Sequence, residues 1–403
     1  MKVDTMRKID YWLGIPITFV LSVLLKTKQV FIKTKKTQAK NILLIELSEM
    51  GSTIICDPMM QKLKKTYNAN LHFVIFKQNK LSLNLLNTVK EENIFTLREN
   101  NILSLVMDFL KYIIWCRKKN IDTVIDLELF SRVTAIMTGV SGANNKVGFY
   151  SFHNEGLYRG DMLNYKVSYN PHIHMAKNFI ALANSLSAAD ELPYSKTYIA
   201  DSEIKLQTID YRDDEKRRVF NLIKDKYSNI ENKRIVLINP NASDLLPQRR
   251  WQKSSFKKVI NKILNNYEDV IILITGSPSE FDEIEKLKDK VDNKRCINFA
   301  GAVEFLDLPI LYSISTLMLT NDSGPGHFSA ITKMPTFVLF GPETPKLYGS
   351  LGNSTAIYAG LACSPCVSAN NHRKTPCVDN VCLKFIKAND VFKKLTTVLG
   401  KIN

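Results

Sequence analysis

The sequence predicts an α/β protein of two domains, each built on a parallel sheet. Short apolar runs bounded by Gly and Pro read as strands buried on both faces. They alternate with stretches of helical period, which is the pattern of repeated βα units. A strongly polar stretch near residues 200–210 divides the chain into two parts of ordinary domain size. At 403 residues the chain is long for a single core, and its 45% hydrophobic content excludes a disordered chain. The expected organisation is a basic and apolar extension over residues 1–40, a first domain over 41–200 and a second over 201–403.

The extension concentrates charge. Of the formal +16, residues 1–40 hold nine Lys or Arg against two Asp, a net of 9 − 2 = +7. An apolar run from Tyr11 to Leu25 precedes Lys26, Lys28, Lys33, Lys35, Lys36 and Lys40. The run falls short of the ~20 residues a spanning helix needs, and Pro16 interrupts it. Aromatic residues at one end and lysines at the other suit a segment lying at the headgroup level of an anionic leaflet. A solvated tail or a core helix is the alternative. No small-residue cleavage site follows, which argues against a secretory signal. No aromatic-basic pattern accompanies the charge, so nucleic acid is excluded as a partner.

In the first domain, residues 41–46 read as a strand, 47–52 as the loop after it and 53–67 as a helix. Strands follow at 71–76, 93–97, 123–127 and 146–149, with helices at 102–119 and 131–140, giving a Rossmann-like parallel sheet. Residues 152–160 are polar, aromatic and glycine-rich and suit a loop over a binding site; His153 and Glu155 there are either a proton-transfer pair or simply loop residues. His172 and His174 flank a helix start after Pro171, with no third metal ligand at a matching spacing.

In the second domain, a strand at 234–238 opens onto Asn239-Pro240-Asn241-Ala242-Ser243 and then Gln248-Arg249-Arg250-Trp251. A strand at 270–275 ends in Gly276-Ser277-Pro278-Ser279-Glu280. Residues 316–342 form a strand-turn-helix-strand unit: an apolar run ends in Thr320-Asn321-Asp322, turns through Ser323-Gly324-Pro325-Gly326, and enters a small-residue helix from His327. The turn lies at the carboxyl edge of a parallel sheet, where ligands bind in open α/β folds, and N–H groups at a helix start favour phosphate. Cys363, Cys366, Cys377 and Cys382 could hold a structural zinc or remain reduced thiols.

The 316–342 string resembles the nucleotide-sugar signature of glycosyltransferase family 9, the bacterial heptosyltransferases, on Asp322, Ser323, Gly324, His327, Pro335, Phe340, Gly341 and Pro342. The resemblance implies the GT-B architecture, two Rossmann-like domains facing across a cleft. It implies a nucleotide diphosphate-sugar donor, ADP-linked, on the second domain, with its phosphates at the helix start after Asp322 and near Arg249. Arg250 is a neighbour that could substitute; Asn241 and Ser243 line the polar loop, and Ser277 and Glu280 approach the ribose. Arginine grips diphosphate in bidentate fashion, so neither metal nor other cofactor is called for. In the first domain Gly51 and Pro58 match the family, but Ser52 stands where the family has the carboxylate that deprotonates the acceptor. A serine hydroxyl is no base near neutral pH. Glu49 is the first choice for that role, with Asp57 and Glu128 as alternatives. The implied activity is inverting transfer of a sugar, heptose by resemblance alone, to a lipid-linked saccharide such as lipopolysaccharide core, at the inner face of the bacterial cytoplasmic membrane. The altered Ser52 leaves two rivals: a non-catalytic sugar-nucleotide-binding scaffold, or an epimerase or hydrolase on the same architecture.

Overall fold

The computed structural model describes residues 3–31, 37–129, 131–151, 157–187, 197–368, 371 and 373–400. The chain divides into two compact units, Met1–Ile204 and Lys205–Asn403. In the first unit the elements run α1 (Val3–Trp12), α2 (Gly14–Phe31), β1 (Asn41–Ile45), α3 (Met50–Tyr67), β2 (Asn70–Phe76), α4 (Leu81–Leu86) and β3 (Ile94–Leu97). They continue α5 (Ile102–Lys118), β4 (Thr123–Asp126), α6 (Arg132–Val140), β5 (Asn145–Phe149), β6 (Tyr165–Val167) and α7 (Met175–Ser185). In the second unit they run α8 (Asp213–Lys226), β7 (Arg234–Asn239), α9 (Lys253–Asn266), β8 (Val270–Ile274), α10 (Phe281–Val291), β9 (Cys296–Asn298), α11 (Leu308–Ser313) and β10 (Leu317–Asn321). After these come α12 (Gly324–Phe328), β11 (Thr336–Phe340), α13 (Pro345–Tyr348), β12 (Ser354–Tyr358), α14 (Val381–Phe385) and α15 (Ala388–Leu399).

Among the described residues each unit carries one six-stranded sheet, ordered β3-β2-β1-β4-β5-β6 in the first and β12-β11-β10-β7-β8-β9 in the second. Every pairing is parallel. Counted from its own first strand, the second sheet repeats the order of the first. In both, the chain reverses direction across the sheet between two central strands, β1 and β4 or β7 and β10. These strands are apolar because both faces are covered: Leu43, Ile45 and Val124 pack with Tyr112 in one core, and Val236, Ile238, Leu317 and Leu319 pack with Trp251 in the other.

The amino-terminal extension departs from expectation. Pro16 does not interrupt it: proline falls in the first turn of α2, where a missing N–H is tolerated. The break is the single residue Leu13, and the Leu13 N–H to Ile9 (2.9 Å) and Ile17 N–H to Leu13 (3.2 Å) bonds carry across it. Thr5–Lys28 is thus long and apolar enough, by length and composition, to cross a membrane. It is nevertheless fastened to the first unit by polar groups. The Asp10 carboxylate accepts from the Arg132 and Val133 N–H groups at the start of α6 (2.8 and 3.0 Å) and pairs with the buried Arg132 guanidinium at 3.0 Å. Ser22 accepts from the Asp161 N–H at 2.7 Å, and Lys26 pairs with Asp161 at 2.7 Å. Gly160, at φ +78°, lets the loop approach this helix: a Cβ there would lie 2.9 Å from the Thr18 carbonyl oxygen. Lys33, Lys35, Lys36, His153 and Glu155 lie outside the described residues.

Asp10→Ala leaves Arg132 buried without its carboxylate and α6 without its anionic cap. It should lower stability by about 2 kcal/mol in urea unfolding, within the range for a broken buried pair and an unsatisfied donor. A midpoint equal to wild type would show that the extension is not held through Asp10.

Candidate active site

Both sheets bring polar residues to the carboxyl ends of their two reversal strands, where open α/β sheets hold ligands. In the second unit these ends are Asn239 on β7 and Asn321 on β10. The Asn321 side chain, fully buried, bridges the two: its Nδ2 donates to the Pro240 carbonyl at 2.7 Å, and its Oδ1 accepts from the Trp251 N–H at 3.0 Å. That staple draws the loop 240–251 onto the end of β10. Arg249 lies in the loop with its Nε 3.4 Å from Asp322 Oδ2 and its Nη2 3.4 Å from Glu343 Oε1. Arg373 Nε approaches the same Glu343 oxygen at 3.8 Å, its guanidinium 4.5 Å above the Tyr348 ring. Asp322 and Glu343 are both almost fully buried. Asn241 is 3% exposed, and neither end of its carboxamide has a hydrogen-bond partner among the described residues. Both ends of that amide are therefore available to a water or a ligand at this edge.

Two expectations about this site need correction. Arg250 does not substitute for Arg249: its guanidinium bonds the Ala242 carbonyl (2.8 Å from Nε) and Asp244, so it braces the loop from the other side. The helix after Asp322 starts at Gly324 and not at His327, and it is a poor source of N–H donors. Pro325 has no N–H, and the Gly326 N–H is already bonded to the Ser323 carbonyl at 3.1 Å. Positive charge here comes from arginine. Ser323 occupies the N-cap position, but its hydroxyl bonds the Asn321 carbonyl at 3.2 Å and does not cap. His327 is half-buried on α12. Ser243 accepts from the Leu245 N–H at 3.2 Å, on the exposed side of the loop. Ser277 and Glu280 close a capping box on each other at the end of β8. They lie two strands from β10, about 10 Å across the sheet edge.

In the first unit the corresponding ends carry Glu46 to Glu49 after β1, and Asp126 at the end of β4 with Glu128 just beyond it. Helix α3 begins at Met50, three residues earlier than expected, so Ser52 sits in its first turn and Glu49 is its N-cap residue. The Ser52 hydroxyl donates to Glu49 Oε2 at 3.1 Å. Glu128 accepts from the Leu47 N–H (3.2 Å) and the Ser48 hydroxyl (3.0 Å). Burial raises the Glu128 carboxyl above its ordinary value, and the charges of Glu49 and Asp126 push the same way. Asp126 is buried against Arg159, which also donates to the Glu128 carbonyl at 2.6 Å. Asp57 does not join this group. It is buried one turn further along α3, bonded to the Thr88 hydroxyl, and burial raises its carboxyl. His174 accepts from the Ala176 N–H at the start of α7.

Sequence reasoning missed Asn321, Glu343 and Arg373 as site residues. The signal for Asn321 was a polar residue closing a short, largely apolar strand; Glu343, three residues past the end of β11, carried none. The four clustered cysteines are free thiols, and among the described residues no group of three or more His, Cys, Asp or Glu side chains converges as metal ligands, so the zinc alternative lacks a ligand set.

Two Rossmann-like units of this kind, with polar groups at both reversal points, are the fold of the GT-B glycosyltransferases. It is shared with the Escherichia coli ADP-heptose lps heptosyltransferase II structure (TM-score 0.66, 18% identity, covering 89% of this chain and 98% of that one). It is also shared with E. coli heptosyltransferase WaaC with ADP-2-deoxy-2-fluoro heptose (TM-score 0.58, 13% identity, 89% and 99%). Residues 114–375 match glycosyltransferase family 9 (heptosyltransferase), and the chain belongs to that family. Lipooligosaccharide heptosyltransferase 2 of Campylobacter jejuni is 29% identical over 171 residues, 41% of this chain and 51% of the relative. The chain thus spans about half the length of the curated relatives it matches.

A carboxyl whose folded pKa is raised favours the folded state below its unfolded pKa, and that contribution is lost as pH rises through the folded value. Glu128→Gln keeps the acceptor for Leu47 and Ser48 but removes the ionisation. Calorimetry should show its melting temperature gaining on wild type as pH is raised from about 4 to about 8. A difference that stays constant with pH would mean that Glu128 is not perturbed.

Proposed function

We propose that this protein is an inverting glycosyltransferase that moves a sugar from a nucleotide diphosphate-sugar, ADP-heptose in the first instance, to a lipid-linked saccharide of the lipopolysaccharide-core type. The observation that carries the reading is Arg249, seated against buried Asp322 at the reversal point of the second sheet, beside the buried amide of Asn241. The family's relatives are heptosyltransferases, and WaaC holds an ADP-heptose analogue on the same fold.

The donor diphosphate lies against Arg249, with Asn241 and the turn Asp322-Ser323-Gly324 around it and Ser277 and Glu280 toward the ribose. In the first unit Glu49 takes the proton of the acceptor hydroxyl. Its link to Ser52 supports this role: the carboxylate missing from position 52 is supplied three residues earlier, within hydrogen-bond reach. Glu128 lies beside it, its carboxyl raised above the ordinary value by burial and by the neighbouring charges of Glu49 and Asp126. The hydroxyl oxygen then attacks the anomeric carbon with inversion. The bond to the diphosphate breaks, and the leaving group departs with the electron pair. Arg249 meets the charge that develops there, the largest catalytic contribution in such a site. The protein works as a peripheral protein on the inner face of the cytoplasmic membrane, a reading supported by the outward apolar residues of α2.

Thermal melting with ADP-, UDP-, GDP- and CMP-sugars tests the donor. Ligand at 100 times its Kd adds about 2.7 kcal/mol, and the ADP class should give the shift. Arg249→Ala should lower kcat/KM about tenfold to a hundredfold and weaken the shift. Glu49→Gln should abolish transfer while leaving the donor shift intact. Donor binding without any transfer in the wild type would instead favour the scaffold reading, and turnover of donor alone would favour a hydrolase or epimerase. Flotation of the wild type with anionic vesicles tests the membrane assignment.

A further inference from the structure

Helix α2 is turned inside out for a helix on a water-soluble domain. Its inward face is small and polar, with Gly14, Thr18 and Ser22 buried against the unit. Its outward face is apolar: Phe19 is 60% exposed, Leu24 61%, and Val20 and Val23 about half. Helix α5 shows an apolar outward face of its own, over an inward face that packs in the core. Leu103 (71%), Val106, Leu110 and Ile114 (68%) stand in solvent at helical spacing, while Tyr112 and Cys116 face the core. Scattered exposed apolar residues are ordinary, but stripes on two long helices are not.

The topology puts these stripes on one side. Right-handed crossovers from β3 to β4 and from β4 to β5 place α5 and α6 on the same face of the first sheet. Helix α2 packs along α6, and α5 touches α6 as well. Along α6, between them, Val133 and Val140 are partly buried against the core. The surroundings are basic. Arg7 and Lys8 on α1, Lys28 on α2 and Lys111 and Lys118 on α5 are exposed, while Asp10 is engaged with Arg132, and Asp108 with Arg98 at 2.8 Å.

We infer that α2 and α5 together form one membrane-docking face that lies in the plane of an anionic lipid surface. This inference rests on the peripheral-membrane reading above and deepens it by adding α5. The charge selects lipid over a second copy of the chain, since two such basic faces would repel while an anionic leaflet attracts them. It also selects an in-plane helix over a spanning one, although Thr5–Lys28 is long enough to span. Spanning would strip Asp10, Ser22 and Lys26 of the partners that hold them to the unit, whereas in-plane contact leaves these bonds intact and covers the outward face.

The test uses the full-length protein, vesicles of phosphatidylcholine alone or with phosphatidylglycerol, and two triple variants at exposed positions. One is Phe19→Ser, Val23→Ser, Leu24→Ser; the other is Leu103→Ser, Leu110→Ser, Ile114→Ser. Wild type should float with the anionic vesicles and be released by salt. Each triple variant should reduce the bound fraction tenfold or more, with unchanged circular dichroism and an unchanged donor-induced thermal shift. If the α2 variant abolishes binding while the α5 variant binds like wild type, the shared face is wrong and the membrane reading survives. No flotation of the wild type with any vesicle would remove the membrane reading itself. An α5 variant that turns a dimer into a monomer in light scattering, without changing flotation, would assign that stripe to a second copy and overturn the inference.

Discussion

The buried carboxamide of Asn321 is the contact on which the second unit's site depends. Two parallel strands bring backbone to the same edge, but they do not position the loop between β7 and α9. Asn321 does so by giving its amino group to Pro240 and its oxygen to the Trp251 N–H. Trp251 is anchored in turn through its indole N–H to the Ile386 carbonyl at 3.1 Å. A loop that would otherwise be free is held at both ends, and Arg249 and Asn241 fall beside Asp322. Aspartate at 321 could not replace it, since a carboxylate has no N–H for the Pro240 carbonyl.

Much of the scaffold was legible because its strands are short apolar runs whose length and punctuation leave few alternatives. Helix α5 was expected at 102–119 and is found at Ile102–Lys118. What was not legible depended on neighbours distant in sequence. Arg249 and Arg250 are chemically equivalent in a string of letters; only the fold shows one meeting Asp322 and the other braced on Ala242. Glu343 could not be singled out, because its partners Arg249 and Arg373 arrive from different segments. The helix start at Gly324 was misplaced for a local reason: glycine and proline signal a turn, and proline is equally at home in the first turn of a helix.

The first unit sets Ser52 in a context that the sequence alone does not show. Read alone, Ser52 looks like a lost function. In place, it is the hydroxyl neighbour of Glu49, and Glu128, just beyond β4, is a carboxyl raised above its ordinary value chiefly by burial. The same unit explains why Pro16 failed as a breaker: its position within the helix matters more than its identity.

The backbone around Arg249 is fastened on three sides. Beyond the Asn321 staple, the Asn380 side chain donates to the Gln248 and Arg250 carbonyls at 3.3 and 3.1 Å, and the Gln248 side chain reaches the Cys377 carbonyl at 2.8 Å. The cysteine-bearing tail is therefore a strap across the segment that carries the arginine. If the donor phosphates bind there as proposed, they meet a main chain that surrendered its freedom during folding, and only side-chain rotamers remain to be ordered. Association with a phosphate group should then show a favourable enthalpy with little opposing loss of chain entropy, the calorimetric mark of a site built before its ligand arrives.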